Sequence, residues 1–412
     1  MVKEEQISSI QEKKEMLRDP VVSIVKTKEV AYTRIDVEAM VREAIEGLGG
    51  ISKFVKPGQT VFIKPNAVVP SLASEGVTVE PEIVSSLIQL VKEAGAAEVL
   101  VGDSSVNGSD TLEVMKKLGM TEAVQEKGGK IISLDEVPLI EKKVSQGKVL
   151  DTIKIPKPLV EADVILDVAK AKTHYIDGIT GCVKNWVGVI PQRYRLQYHQ
   201  TRLSQVIAEI MRQIPPDLCV VDALVIGEGE GPNNVDPRFL GVIVAGTDPV
   251  ATDVVTGNLM GFDVNDLEFP WVASLEGVGV IDLNKIKVIG PSLEKIRIHA
   301  CRPNPAVYNR FPCNIVLGGV CSGCLTWVVG TSVEWLRDGT WDKILRKGRP
   351  TLMVGYNAQD IHFEKHLKEG PYFVIGDCAP EEYKSDKRVI FISGCCPGNK
   401  IPDKILRETG LK

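Results

Sequence analysis

The chain has 412 residues, of which 44% are hydrophobic, 25% charged and 5% aromatic. A net charge of −5 and so few aromatic rings argue against a nucleic-acid surface, either by phosphate attraction or by base stacking. No apolar run is long enough to span a bilayer and the start MVKEEQISSIQEKKEML lacks an apolar signal core, so a cytoplasmic protein of two or three domains is expected.

Residues 1–20 read as a polar arm, 21–300 as a main body and 301–412 as a smaller second domain. Residues 21–30 alternate as a strand, and Asp36 stands as the cap of a helix over 37–49. Residues 60–64 (TVFIK) form a short apolar strand ending in Lys64-Pro65-Asn66, where the proline forbids a helix and holds Asn66 in a loop. A helix over 80–95 leads to a strand at 98–102, which ends in Asp103-Ser104-Ser105. A helix over 109–129, a strand at 130–134 and an edge strand at 148–155 follow. Strand and helix alternating at this rhythm predict an α/β fold with a mostly parallel sheet.

Residues 164–200 are the richest stretch. A buried strand opens it (Val164, Ile165, Leu166, Val168), and Lys170, Lys172, His174, Lys184 and His199 come next, interrupted by a glycine-rich turn. Ligand groups in open α/β sheets lie beyond the carboxyl ends of strands, where Lys64, Asn66, Asp103, Ser104 and Ser105 also fall. Lysine neutralises anions and histidine titrates near neutral pH, so this is the candidate active site for a small anionic ligand. Beyond it, a helix over 200–214 and strands at 218–226 and 241–245 are expected. Asp248-Pro249 reads as a helix start, and residues 286–290 as the last strand of the body. The acidic glycine-rich run 228–234 offers a minority site for a hard cation, against a plain solvated loop.

Seven of nine cysteines crowd the last quarter of the chain, which in a reducing cytosol favours a metal site over disulfides. Strands at 314–318, 372–376 and 389–394 run respectively into Cys321-Ser322-Gly323-Cys324, Asp377-Cys378 and Cys395-Cys396. In one parallel sheet these ends share an edge. Four thiolates there suit a [4Fe–4S] cluster; tetrahedral zinc accepts the same set, and redox or inert thiols are the remaining alternative. Cys395 and Cys396 compete for the fourth position. The spacing CxxC, Gly-x-Cys and Gly-Cys-x-Pro resembles the cluster motifs of hydrogenase small subunits.

The main body resembles the family catalogued as domain of unknown function 362. The motifs carrying this are Val61-Phe62-Ile63-Lys64-Pro65-Asn66, Gly102-Asp103-Ser104, Lys172-Thr173-His174, Gly178-Ile179-Thr180-Gly181, Lys184-Asn185 and Ala245-Gly246-Thr247-Asp248-Pro249. More distantly, Lys172-x-His174, the glycine turn, Lys184 and His199 resemble a segment of nickel-pincer lactate racemases. That resemblance implies His174 as catalytic acid/base, Lys184 as the anchor of a nucleotide-derived nickel cofactor and His199 as a metal ligand. Asp103-Ser104-Ser105 stand where those racemases carry a further histidine and arginine, which speaks against racemase activity itself.

The sequence therefore predicts a cytoplasmic [4Fe–4S] enzyme, an oxidoreductase or racemase-like isomerase. Its catalytic residues are His174, Lys184 and Lys172. Lys64, Asn66, Asp103, Ser104, Ser105 and Asn185 bind the substrate, and Cys321, Cys324, Cys378, Cys395, Cys396 and His199 bind metal. A redox partner protein and a homo-oligomer are compatible with this reading. An electron-transfer or cluster-carrier protein and a zinc-stabilised binding module are the alternatives.

Overall fold

A computed structural model describes residues 20–175, 177–199, 203–303, 311–320 and 322–412. The side chain of His199, Cys321 and nearly all of the arm expected over 1–20 lie outside the described residues. The chain divides into two compact units, one of residues 1–193 and 202–303, the other of 304–412 with the segment 194–201.

The first unit contains β1 (Val21–Lys26), β2 (Thr60–Pro65), β3 (Glu98–Asp103), β4 (Lys130–Ser133), β5 (Leu139–Lys143), β6 (Thr152–Pro156), β7 (Val164–His174), β8 (Gly178–Thr180), β9 (Leu218–Glu230), β10 (Asn234–Gly246) and β11 (Lys287–Ile289). The main sheet runs β11-β1-β10-β9-β7-β2-β3-β4, with β8 folded back on β7. The pairings β1–β11, β2–β3, β2–β7, β3–β4 and β7–β9 are parallel. Only β10 in this row runs against both its neighbours, β9 and β1.

Side chains two apart share a face of a strand. Val61, Ile63, Val99, Val101, Val164, Leu166, Val168, Leu218 and Val220 accordingly pack in one cluster with the helices Val37–Glu46 and Pro81–Glu93. Each such fully buried side chain contributes about 1.5–3 kcal/mol. Asp36 accepts the Ala39 N–H at 2.9 Å as a helix cap, and Asp248 does the same for Ala251 with Pro249 at the first helical position.

Three expectations change. The helix over 109–129 is two, Thr111–Lys117 and Met120–Glu126, parted near Gly119. The edge strand at 148–155 is β6, which pairs with β5 in a separate antiparallel ribbon. The acidic run 228–234 is the tip of the long β9–β10 hairpin, where Glu228 is matched by Arg238 at 3.2 Å and takes the Cys301 N–H at 3.0 Å. The Glu228 carboxylate therefore has a cationic partner within the fold.

The second unit is built on β12 (Asn314–Leu317), β13 (Thr351–Val354), β14 (Tyr372–Ile375) and β15 (Ile390–Ile392), all parallel and in that spatial order. Met353, Tyr372, Val374 and Ala379 form its core, with Phe363, Tyr383 and Phe391 against them. The protein is thus an α/β protein with a mainly parallel main sheet and a second, smaller α/β unit. Among the described residues no helix is long and apolar enough to cross a membrane.

Candidate functional site

The strands β2, β3, β7 and β9 are apolar until their carboxyl ends and then turn charged while remaining buried. Lys64, Lys170 and Lys172 are each at most 1% exposed, and Asp167 and Asp222 are 0% exposed. An unpaired charge at such depth is costly, so each must find a partner or give up its charge.

Most find a partner. Lys64 pairs with Asp103 at 2.7 Å and donates to the Asn185 side-chain oxygen at 3.2 Å. Asp103 also accepts the N–H groups of Ala67 and Ser104, both at 2.9 Å. Asn66 donates to the same Asn185 oxygen at 3.1 Å, while Asn185 Nδ2 donates to Asp167 at 2.7 Å. Asn185 is therefore the hub joining Lys64, Asn66 and Asp167. Gly188 lies against this ion pair: a Cβ there would come 2.7 Å from Lys64 Nζ and nearer still to Asp103 Oδ1, so no larger residue fits.

Ser104 and Ser105 belong to the same edge but are engaged within the fold. Ser104 Oγ donates to Asp135 at 2.7 Å and Ser105 Oγ to the Ala67 carbonyl at 2.6 Å. Asp135 in turn lines a pocket of about 210 Å³ with Ser109, Thr111, Gln192 and Arg193.

Along β7, Lys170 pairs with Asp222 on β9 at 2.8 Å, as their register places them opposite one another. Two residues on, Lys172 donates to the Val77 carbonyl at 2.7 Å and has no carboxylate within 4 Å among the described residues. Burial, reinforced by the ammonium groups of Lys170 and Lys184, lowers its pKa to about 7. His174 Nδ1 lies 2.9 Å from Asp177, which also pairs with Lys184. Burial, with the Lys184 charge behind it, lowers His174 to about 4 against the pull of Asp177, so the imidazole is neutral at pH 7. Burial alone would raise Asp177, but Lys184 and His174 overcome it and hold the carboxylate ionised. The Lys184 ammonium stands 4.3 Å from the centre of the Phe269 ring, a cation–π contact.

Lys64 and Lys184 are balanced by Asp103 and Asp177, whereas Lys172 has no carboxylate partner among the described residues. The predicted residues Lys64, Asn66, Asp103, Ser104, Ser105, Lys172, His174, Lys184 and Asn185 all belong to the strand-end region. Asp167, Asp177, Asp222 and Gly188 were not singled out. Asp167 and Asp222 break otherwise apolar strands (VILDVA, VVDALV), and Asp177 follows His174 by three; those were the available signals.

In the second unit Cys378 and the Cys395-Cys396 pair follow the carboxyl ends of β14 and β15, whereas Cys313 precedes β12. The backbone around Gly376 connects the ends of β14 and β15: Gly376 N–H donates to the Ile392 carbonyl and Asp377 N–H to that of Gly394. Asp377 Oδ1 accepts the Gly394 N–H at 2.8 Å, which sets the Cys378 loop beside Cys395 and Cys396. A Cβ on Gly376 would lie 3.4 Å from Cys324 Sγ and 3.7 Å from Cys378 Sγ, putting these sulfurs within about 7 Å of each other. Gly376 has φ of +93° and leaves open the space that a side chain would fill between the thiols. Cys324 is buried, and Cys378, Cys395 and Cys396 are half-buried. A soft metal or an iron–sulfur cluster fits this donor set.

Comparison with known proteins agrees with the body's motifs. Over 262 residues the chain is 29% identical to the thylakoid-associated protein sll1697 of Synechocystis sp., covering 61% of this chain and 77% of that protein. The lactate racemase apoprotein from Thermoanaerobacterium thermosaccharolyticum overlaps 92% of this chain and 93% of its own, but with 13% identity and a TM-score of 0.38. A likeness that loose transfers neither residues nor activity. Residues 61–257 match the family described as domain of unknown function (DUF362). That stretch takes in most of β2, the strand-end lysines, His174, Asn185 and the Asp248 helix start, and it is the part of this chain that is similar to the DUF362 family.

Proposed function

We propose that the protein is an iron–sulfur enzyme of redox or isomerase type that acts on a small anionic substrate. The observation that carries this reading is the approach of Cys324 and Cys378 to the side-chain-free space at Gly376, with the Gly394 backbone that leads into Cys395-Cys396 beside it. A [4Fe–4S] cluster held by Cys324, Cys378, Cys321 and one of Cys395 or Cys396 would pass electrons, whereas one held by only three of these cysteines would keep an open iron position able to act as a Lewis acid.

The main body supplies the polar chemistry. Lys172, buried and without a carboxylate partner, favours an anionic group that would bring the missing countercharge. His174 is the proton-handling residue: Asp177 holds its ring, and its neutral state at pH 7 leaves it able to take a proton. Lys184 keeps Asp177 ionised, and Asn185 fixes Lys64 and Asn66 beside the same strand ends. The finer racemase-like reading adds a nickel cofactor anchored at Lys184.

The test is anaerobic purification with iron, sulfide and nickel analysis, followed by stabilisation screening with hydroxy acids, phosphates and nucleotides. About four irons and four sulfides per chain are expected. An anion should stabilise the protein, and Lys172→Met should abolish that effect. Nickel beside the iron would favour the isomerase branch. Colourless zinc protein would overturn the redox reading, and a cluster with no anion effect would leave a cluster carrier.

A further inference from the structure

We propose that Asp167, Cys182 and Cys219 form a second metal site, closed and structural, for a thiophilic dication of the zinc class. It lies within the main body and does not depend on the cysteines of the second unit.

The site is built by the fold. Asp167 on β7 and Cys219 on β9 are direct partners in the parallel register, so their side chains share one face of the sheet. Cys182 opens the short helix Cys182–Asn185. One potential ligand atom from each of the three lies within 4.8 Å of the others, and each residue is at most 1% exposed. Tetrahedral zinc with Zn–S near 2.3 Å and Zn–O near 2.1 Å sets neighbouring ligand atoms roughly 3.5 Å apart, a contraction that rotamer adjustment supplies. Two sulfurs and one carboxylate oxygen are ordinary zinc donors and fill three of the four tetrahedral positions, in a site whose burial keeps it away from any substrate.

An independent observation points to an absent partner. Asp167 is 0% exposed; its Oδ1 accepts from Asn185 at 2.7 Å, but its Oδ2 is buried with no hydrogen-bond partner among the described residues. Buried carboxylate oxygens are nearly always satisfied, and a cation held between the thiols would satisfy this one. The surroundings also resemble a supporting shell. Asn185 orients Asp167, while Asp253 accepts the N–H of Cys182 at 2.6 Å and of Val183 at 2.9 Å, fixing the start of the helix. Because the site is closed, the ion would enter as the chain folds, tying β7, β9 and the Lys184-Asn185 helix together.

The experiment uses full-length protein, purified anaerobically from zinc-replete cells with its iron in place. We expect one zinc per chain beyond the iron, and an anomalous-scattering peak at the zinc edge between Asp167, Cys182 and Cys219. The double variant Cys182→Ser with Cys219→Ser should lose that zinc and keep its iron. Cobalt substitution should give thiolate-to-cobalt absorption in the wild type and not in the variant. If the variant fails to fold, the wild-type anomalous map alone decides. A peak confined to the second unit, no zinc at all, or a Cys182–Cys219 disulfide detected by mass spectrometry of alkylated protein would overturn the proposal.

Discussion

The two units solve opposite problems at the same place, the carboxyl ends of parallel strands. In the main body that edge is crowded with charge that the fold has already balanced: Lys64 with Asp103, Lys170 with Asp222, Lys184 with Asp177. In the second unit the edge carries almost no fixed charge, but soft sulfurs around a glycine. A balanced edge is rigid and costly to disturb, because any single removal strands a buried ion. A sulfur edge offers soft donors that a bound metal would draw together. The lesson is that strand ends position both kinds of chemistry, and the residue type decides whether the protein or the ligand completes the site.

The comparison can be broken at several points, in falling order of effect. Cys378→Ala should take iron content from about four per chain to near zero, measured by iron and sulfide analysis. The main body should lose far less, since its edge is held by ion pairs. Lys64→Met should destabilise by about 3–5 kcal/mol in denaturant unfolding, because Asp103 remains buried without its partner. Combining it with Asp103→Leu should recover much of that loss; no recovery would mean that the pair does not act as a unit.

Acidification gives the next effect. His174 is about 4 in the folded protein and near 6.5 unfolded, so between those values the unfolded chain binds more protons and stability falls as pH falls. Relative to His174→Gln, the wild type should lose up to roughly 3 kcal/mol from pH 6.5 to 4. Parallel stability curves for the two proteins would show that His174 is not depressed. Gly376→Ala imposes φ of +93° on a side chain and crowds Cys324, and should cost about 1–2 kcal/mol with weakened cluster retention. Last, Lys130→Ala removes an exposed pair with Glu98 at 2.6 Å and should change stability by under about 0.5 kcal/mol.

Much of this was readable along the chain. Apolar runs such as TVFIK and EVLVG announced β2 and β3, and the polar residues just after them announced the edge. The cysteine-bearing strand ends of the second unit were legible for the same reason: short apolar strands followed at once by Cys324, Cys378 and Cys395. The lysines were visible, yet their partners were not. Lys170 and Asp222 are 52 positions apart, and they meet because β9 lies beside β7. Lys64 and Asp103 are 39 apart, and Gly188 closes over them from a third segment.

By itself, then, the sequence determined the elements, their α/β rhythm, the helix caps at Asp36 and Asp248 and the residue types gathered at strand ends, because these follow from local periodicity and backbone chemistry. The tertiary structure alone decided which lysines are paired with a carboxylate, that Lys172 has none among the described residues, that the run 228–234 is a hairpin tip and that Asp167 faces Cys219. Those outcomes depend on strand order and register, which bring together side chains far apart in the chain and settle, by burial, which charges survive.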